Sequence, residues 1–401
     1  MSNTSIGKYI IMLAALTAMA PLAIDAYLPA IPAIAGAIDS SVHDVELSIS
    51  VFLGGFALGQ LIGGPYSDHF GRRTAIFTGL SLFILGSAGI VLFQSLESLL
   101  IFRAIQAFGG GIAVINSTAV IRDISSGKES AKHLGNIGVL MMIAPLVAPF
   151  IGLLILKALD WQFIFVLLGA YALFLVFFMY RSLPETRVVH TDKVSPVKRY
   201  LMVLTHRDAL SFILAQAFAS AGMFAFITGS PSIYMGHYGM SEQIYPFVFG
   251  LNVVTLIAAN RINIRKLSTH SSRQLMTLGQ LIQWSAGAVL FTTVMLGYEL
   301  PVYVFVALIM VFIGAMGFVF SNSMACTAEY FPHNAATATA LLGAIGFAAG
   351  GLSGSLVGIF GDGTPLPTVC VLFTCATAGL VMRKLFATQP LLENDLAARE
   401  A

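Results

Sequence analysis

The chain has 401 residues, of which 57% are hydrophobic and 10% charged, with a formal net charge of +2. Soluble globular proteins carry about 25% charged residues, so a water-soluble domain is excluded and no nucleic-acid partner is expected. The charges fall in gaps between continuously apolar runs, the pattern of an all-α polytopic membrane protein and not of an alternating β-barrel.

The first apolar run, residues 9–38, holds a single carboxylate, Asp25, in Met19-Ala-Pro-Leu-Ala-Ile-Asp25-Ala-Tyr-Leu-Pro29. A helix rising ~1.5 Å per residue carries Asp25 well inside a hydrocarbon layer roughly 30 Å thick. An acid there is costly and faces a polar partner or cavity, which marks it as functional; a protonated carboxyl hydrogen-bonded for packing is the alternative. Ala18-Met19-Ala20 imitates a signal-peptide cleavage site, but the run continues beyond it, so an uncleaved first span is expected.

Further runs follow at 47–67, 74–93, 98–121, 133–156 and 161–180. After a charged segment come 209–231, 243–260, 274–298, 300–328, 334–358 and 363–382, twelve in all. One set of gaps holds Arg72, Arg73, Arg122, Lys128, Lys132, Arg261, Arg265, Lys266 and Arg273. The opposite set holds Lys157 beside acids such as Asp39, Glu97 and Glu299. The excess of Lys and Arg makes the first set, the middle gap and both termini cytoplasmic. The middle gap divides the chain into residues 1–181, a solvated linker 182–207, and residues 208–401, the layout of a transporter built from parallel repeats.

The other charge within a run is Arg103, in Leu99-Leu-Ile-Phe-Arg103-Ala-Ile-Gln106. Arginine does not deprotonate and needs a counter-charge or acceptors. Asp25 is the acid available to it, directly or through water; a tie to carbonyls and Gln106 is the alternative. Between runs two and three stands Gly64-x3-Asp68-x2-Gly71-Arg72-Arg73. Its glycines allow close approach and a tight reversal, and Asp68 can accept from a helix N-terminus or from Arg72. Cys326, Cys370 and Cys375 lie in apolar stretches and the eight histidines near run ends. Neither a disulfide framework, a metal cluster nor a buried histidine relay is expected.

The loop resembles the signature cytoplasmic loop of the major facilitator superfamily, and Arg103-x2-Gln106 its fourth-helix motif. Asp25-Ala-Tyr-Leu-Pro29, Gly55-Phe-Ala-Leu-Gly-Gln60, Arg122-Asp123, Ala144-Pro145 to Pro149, and Ala221-Gly-Met-Phe224 are similar to the bicyclomycin-resistance branch of its drug:proton antiporters. The resemblance covers nearly the whole chain. It implies twelve transmembrane helices in two six-helix bundles and alternating access around a central cavity, with multidrug export from a bacterial inner membrane driven by proton entry. Asp25 and Arg103 then form the proton-coupling site, and Gly64, Asp68, Gly71, Arg72 and Arg73 a conformational latch.

Departures are visible. Ala107 follows Gln106 where the family usually has Gly. Ala144-Pro145 and Ala148-Pro149, ahead of Gly152, replace a Gly-Pro step, although alanine is small enough to keep a helix-packing role. The second half has no copy of the loop, since Asn260 to Lys266 contains no acid. Tyr27, Asn116, Tyr234, Asn252 and Asn322 are softer candidates for the cavity, and for each of them a helix–helix hydrogen bond is the favoured reading. The expected partners are a small amphipathic substrate, protons and membrane lipid, with a monomeric chain. No cofactor is expected, the proton gradient supplying the energy. An exporter of an endogenous siderophore or amino acid, or a proton-coupled uptake symporter, would use the same helices. No nucleophile or paired acids within the runs point to an enzyme.

Overall fold

The computed structural model describes residues 3–125, 127–187, 195–331 and 335–388. The tail beyond 388 and residues 188–194 of the expected linker lie outside the described residues. Among those described there is no strand, and twelve helices are long and apolar enough to cross a membrane. The chain divides into two compact units, Met1–Lys193 and Val194–Ala401.

Unit 1 contains α1 (Asn3–Asp25), α2 (Ile31–Ala37), α3 (Val42–Phe70), α4 (Arg72–Leu92), α5 (Leu96–Ile124), α6 (Gly127–Ala158) and α7 (Gln162–Ser182). The first span is not one helix. Pro29 and Pro32 lack the N–H groups that would continue the ladder, so α1 ends at Asp25 and a 3₁₀ turn, Leu28–Ala30, leads into α2. Asp25 is therefore the last helical residue, beside carbonyls that helix termini leave without partners.

The α3 helix starts at Val42, ahead of the apolar run, because Ser41 caps it by accepting from the Asp44 N–H at 3.1 Å. That brings Glu46 inside the helix. Ser95 and Ser98 cap each other's backbone N–H to begin α5, which packs against both α3 and α4. The α6 helix runs unbroken through Pro145 and Pro149. Its Gly152 faces the chain where α1 ends: a Cβ there would run into the Ala26 carbonyl.

Unit 2 contains α8 (Pro196–Thr205), α9 (Arg207–Pro231), α10 (Tyr245–Lys266), α11 (Ser272–Met295), α12 (Val302–Gly314), α13 (Met316–Glu329), α14 (Ala335–Ile359) and α15 (Leu366–Phe386). Part of the expected linker is thus the short helix α8, with Pro196 in the first turn where no N–H is needed. The α9 helix packs against α13, α14 and α15. Around it Phe212, Ala215, Ala219, Met276, Met316, Val319 and Cys326 form an apolar cluster.

Candidate functional site

In unit 1 the break after α1 sets the geometry. Asp25 is 4% exposed, and among the described residues its carboxyl makes no hydrogen bond or ion pair. Arg103, projecting from α5, is fully buried. Its Nη1 donates to the Ala23 carbonyl at 3.1 Å, a group in the last turn of α1, and to Gln106 Oε1 at 2.9 Å. Gln106 Nε2 donates in turn to Ser87 Oγ on α4 at 2.8 Å. The guanidinium lies 4.4 Å from the Phe52 ring centroid, 4.9 Å from Tyr27 and 5.7 Å from Phe165, a desolvated cation–π box.

The ion pair expected between Asp25 and Arg103 is not made in this conformation. The broken helix offers a carbonyl instead, and three aromatic faces take the charge. Arg103 nevertheless keeps two donors, Nε and Nη2, without partners. An acid with no donor and a cation with spare donors occur in one buried region, each costly as it stands.

At the α3–α4 junction Gly71 adopts φ 99°, a conformation other residues rarely enter, and a Cβ would meet the Glu185 carboxyl. Arg72 is buried, with Nη1 on Asp68 Oδ1 at 2.7 Å and Ser67 Oγ at 2.7 Å, and Nε on Asp123 Oδ2 at 3.0 Å. Arg73 reaches the Tyr180 carbonyl at 2.7 Å and lies over the Tyr180 and Phe77 rings. Asp68 thus takes Arg72, but the helix N-terminus goes to another acid. Glu185, from the segment after α7, accepts from the Arg72 and Arg73 N–H groups at 2.9 and 3.1 Å. Arg187 donates to the His69 carbonyl at 2.7 Å. The start of the middle gap is docked on the loop and is not a solvated linker. Gly64 contributes its carbonyl to Ser67 Oγ at 2.9 Å.

Burial works against the Glu185 charge, but the N–H groups of Arg187, Arg72, Arg73 and Thr186 outweigh it and hold the carboxyl below its ordinary range. A lowered value in the folded chain means the docking is complete at neutral pH and is lost as pH falls through that value. Glu185→Gln, which keeps shape but removes the charge, should speed amide exchange across residues 71–74 roughly fivefold, the worth of a lost cap of about 1 kcal/mol. Unchanged hydrogen–deuterium exchange there would show the contact to be incidental.

The remaining candidates separate. The Tyr27 hydroxyl meets Ser48 Oγ at 2.8 Å and the Val45 carbonyl at 3.3 Å, beside the Arg103 box. Asn116 donates to Ile112 in its own helix and leaves Oδ1 without a partner. Tyr234 lies in the π turn Ser232–His237 after α9, with its hydroxyl buried and, among the described residues, without a hydrogen-bond partner. Asn322 pairs with Asn263 at 2.7 Å, helix–helix glue with a partner the sequence did not single out. Ala144 and Pro149 are buried on α6 and Pro145 half-buried, while Gly152 makes the close approach.

Three charged residues were not foreseen. Glu46 stands one residue ahead of the apolar run 47–67, though Ser41-x2-Asp44 marks the earlier helix start. Asp123 was noted only as part of a motif, and it clasps Arg72. Arg383, placed just past the last run, is 1% exposed and donates to Gln280 at 2.8 Å and the Arg273 carbonyl at 3.0 Å.

A family model described as the Major Facilitator Superfamily matches residues 13–355. The chain is 31% identical over 381 residues to the bicyclomycin resistance protein homolog of Haemophilus influenzae, covering 93% of this chain and 94% of that one. It is 28% identical to a chloramphenicol resistance protein of Pseudomonas aeruginosa, covering 94% of this chain and 90% of the relative. Among solved structures, a bacterial homolog of the lysosomal transporter Spinster, inward-facing, superposes with a TM-score of 0.73 at 14% identity. It covers 96% of this chain and 98% of its own.

Proposed function

Because the chain belongs to the Major Facilitator Superfamily and its described residues include twelve helices long and apolar enough to cross a membrane, it is a multi-pass membrane transporter, and we propose that it exports small amphipathic drugs in exchange for protons. Relatives that carry bicyclomycin, chloramphenicol and multidrug resistance in their names support the export of drugs. The observation that carries the coupling is the buried Asp25, without a partner among the described residues, in the same unit as an arginine with spare donors. In that apolar setting a protonated Asp25 is far cheaper than the carboxylate. On losing its proton, Asp25 would gain by swinging onto the free guanidinium donors. Loading and release of one proton thereby select between two arrangements of the α1 break. Substrate from the cytoplasm would favour release, and a proton from outside would reset the site.

The drive is sufficient. One proton crossing ~100 mV yields about 2.3 kcal/mol, and one pH unit adds ~1.4 kcal/mol. Together they sustain a gradient of roughly 500-fold for a neutral substrate.

The test is a drug-susceptibility panel with bicyclomycin and chloramphenicol in an efflux-deficient host, run beside an untargeted profile of the medium. Raised resistance supports drug export, while one enriched endogenous product with no change in resistance replaces it with a dedicated metabolite exporter. Orientation in a bacterial inner membrane is tested separately in a background without native cysteines. A cysteine at Ser195 should resist an impermeant thiol reagent added to intact cells, and one at Ser241 should react. Both positions are exposed. The opposite labelling would place both termini outside.

A further inference from the structure

The α3 helix carries an acid that the proposed mechanism does not use. Glu46 stands one turn inside α3 and is fully buried. Its Oε2 lies 3.3 Å from Nδ1 of His43, whose side chain retains 24% exposure. The imidazole nitrogen that meets the buried acid thus belongs to a side chain that is itself partly exposed. On either side of it in the same helix, Val45 and Ser48 hold the Tyr27 hydroxyl, two residues beyond Asp25. Tyr27 lies under the Arg103 guanidinium, and both Arg103 and Glu46 act on it electrostatically.

Other titratable groups among the described residues stand near this corner. The α2 helix has none, and Asp39 lies exposed in the turn that follows it. Asp44 is engaged by Ser40 and Ser41. The α5 helix offers Arg103 and, at its exposed start, Glu97. The arginines of α4 stand at the far end of α3, beside Asp68.

We propose that Glu46 is a second proton-binding carboxylate of unit 1, loaded from solvent through His43. A proton taken up at Nε2 of His43 allows Nδ1 to pass its own to Glu46 Oε2, and the imidazole returns to neutrality with no other bond changed. The eight histidines lie near run ends, which by itself speaks against a buried relay. The run end is where such a ring has to stand, since it must touch both water and the buried acid. The opposing account is an ionised Glu46 that only complements the positive N-terminal end of α3. It predicts no protonated carboxyl at this position.

The inference builds on the proton-coupled reading, yet its test requires no substrate. Purified protein in lipid nanodiscs is taken from mildly alkaline to mildly acidic pH while infrared difference spectra record protonated carboxyl bands. Glu46→Gln should remove one band and Asp25→Asn a different one. Should Glu46→Gln fail to assemble, Glu46→Asp should shift the same band. His43→Ala should leave the Glu46 band in place but slow its appearance on the order of 100-fold, the worth of a positioned proton carrier. Imidazole added to the bath should restore much of the rate. A spectrum unaltered by both Glu46 variants, or a loading rate unaltered in His43→Ala, overturns the proposal. Loss of the Glu46 band alone upholds it while removing Asp25 from the coupling scheme; loss of the Asp25 band alone does the reverse.

Discussion

Asp25→Asn should abolish proton-driven export while leaving an assembled, ligand-binding protein. Asparagine has nearly the volume of aspartate and fits the buried site, where the native carboxyl makes no hydrogen bond among the described residues that the amide would lose. What disappears is the ability to take up and release a proton. Uphill transport in inverted vesicles should fall ~100-fold or more, in line with loss of a positioned proton-transfer group. Substrate-induced proton release in detergent should vanish with it. Binding of a neutral drug such as chloramphenicol to the purified variant serves as the control for folding. Full pH-driven transport by Asp25→Asn would remove this residue from the mechanism and leave the α1 break as a packing feature.

The second large effect is expected at Arg103. Its removal takes a cation from between three aromatic rings, the nearest at 4.4 Å. It also leaves Gln106 Oε1 and the Ala23 carbonyl buried without a donor. Each stranded acceptor costs about 1–3 kcal/mol, so Arg103→Ala should lower both stability and transport. Arg103→Lys keeps a charge in the box but cannot serve two acceptors with a planar fork, and should fall between. The informative measurement is the double variant. If Arg103 works through Asp25, adding Arg103→Ala to Asp25→Asn should cost nothing further in transport, a coupling of at least ~1 kcal/mol. Simple additivity of the two effects would make Arg103 a brace for α1, α4 and α5, with no part in coupling.

Much of this protein was legible in its linear order. Twelve spans follow from apolar run length, because a bilayer demands that each segment satisfy its own backbone hydrogen bonds. Asp25 and Arg103 announce themselves because charges are expensive in such runs. The Gly71-Arg72-Arg73 junction was readable as a tight reversal, and φ 99° at Gly71 bears out that need. All of these are local properties of a residue and its immediate neighbours.

What only the tertiary structure decided is which group answers each charge. Arg103 takes the Ala23 carbonyl, left open in the last turn because α1 stops at Asp25, along with rings from three separate segments. The N-terminus of α4 is capped by Glu185, 113 residues away from Arg72, and not by the nearby Asp68. Glu46 becomes a buried acid because Ser41 starts the helix sooner than hydropathy alone indicates. Hydropathy measures the average preference of a segment for lipid or water, and it carries no record of partners contributed by distant helices. Those partners are chosen by close packing, which sets which donors and acceptors lie within 3 Å of one another, and that selection exists only once the helices have met.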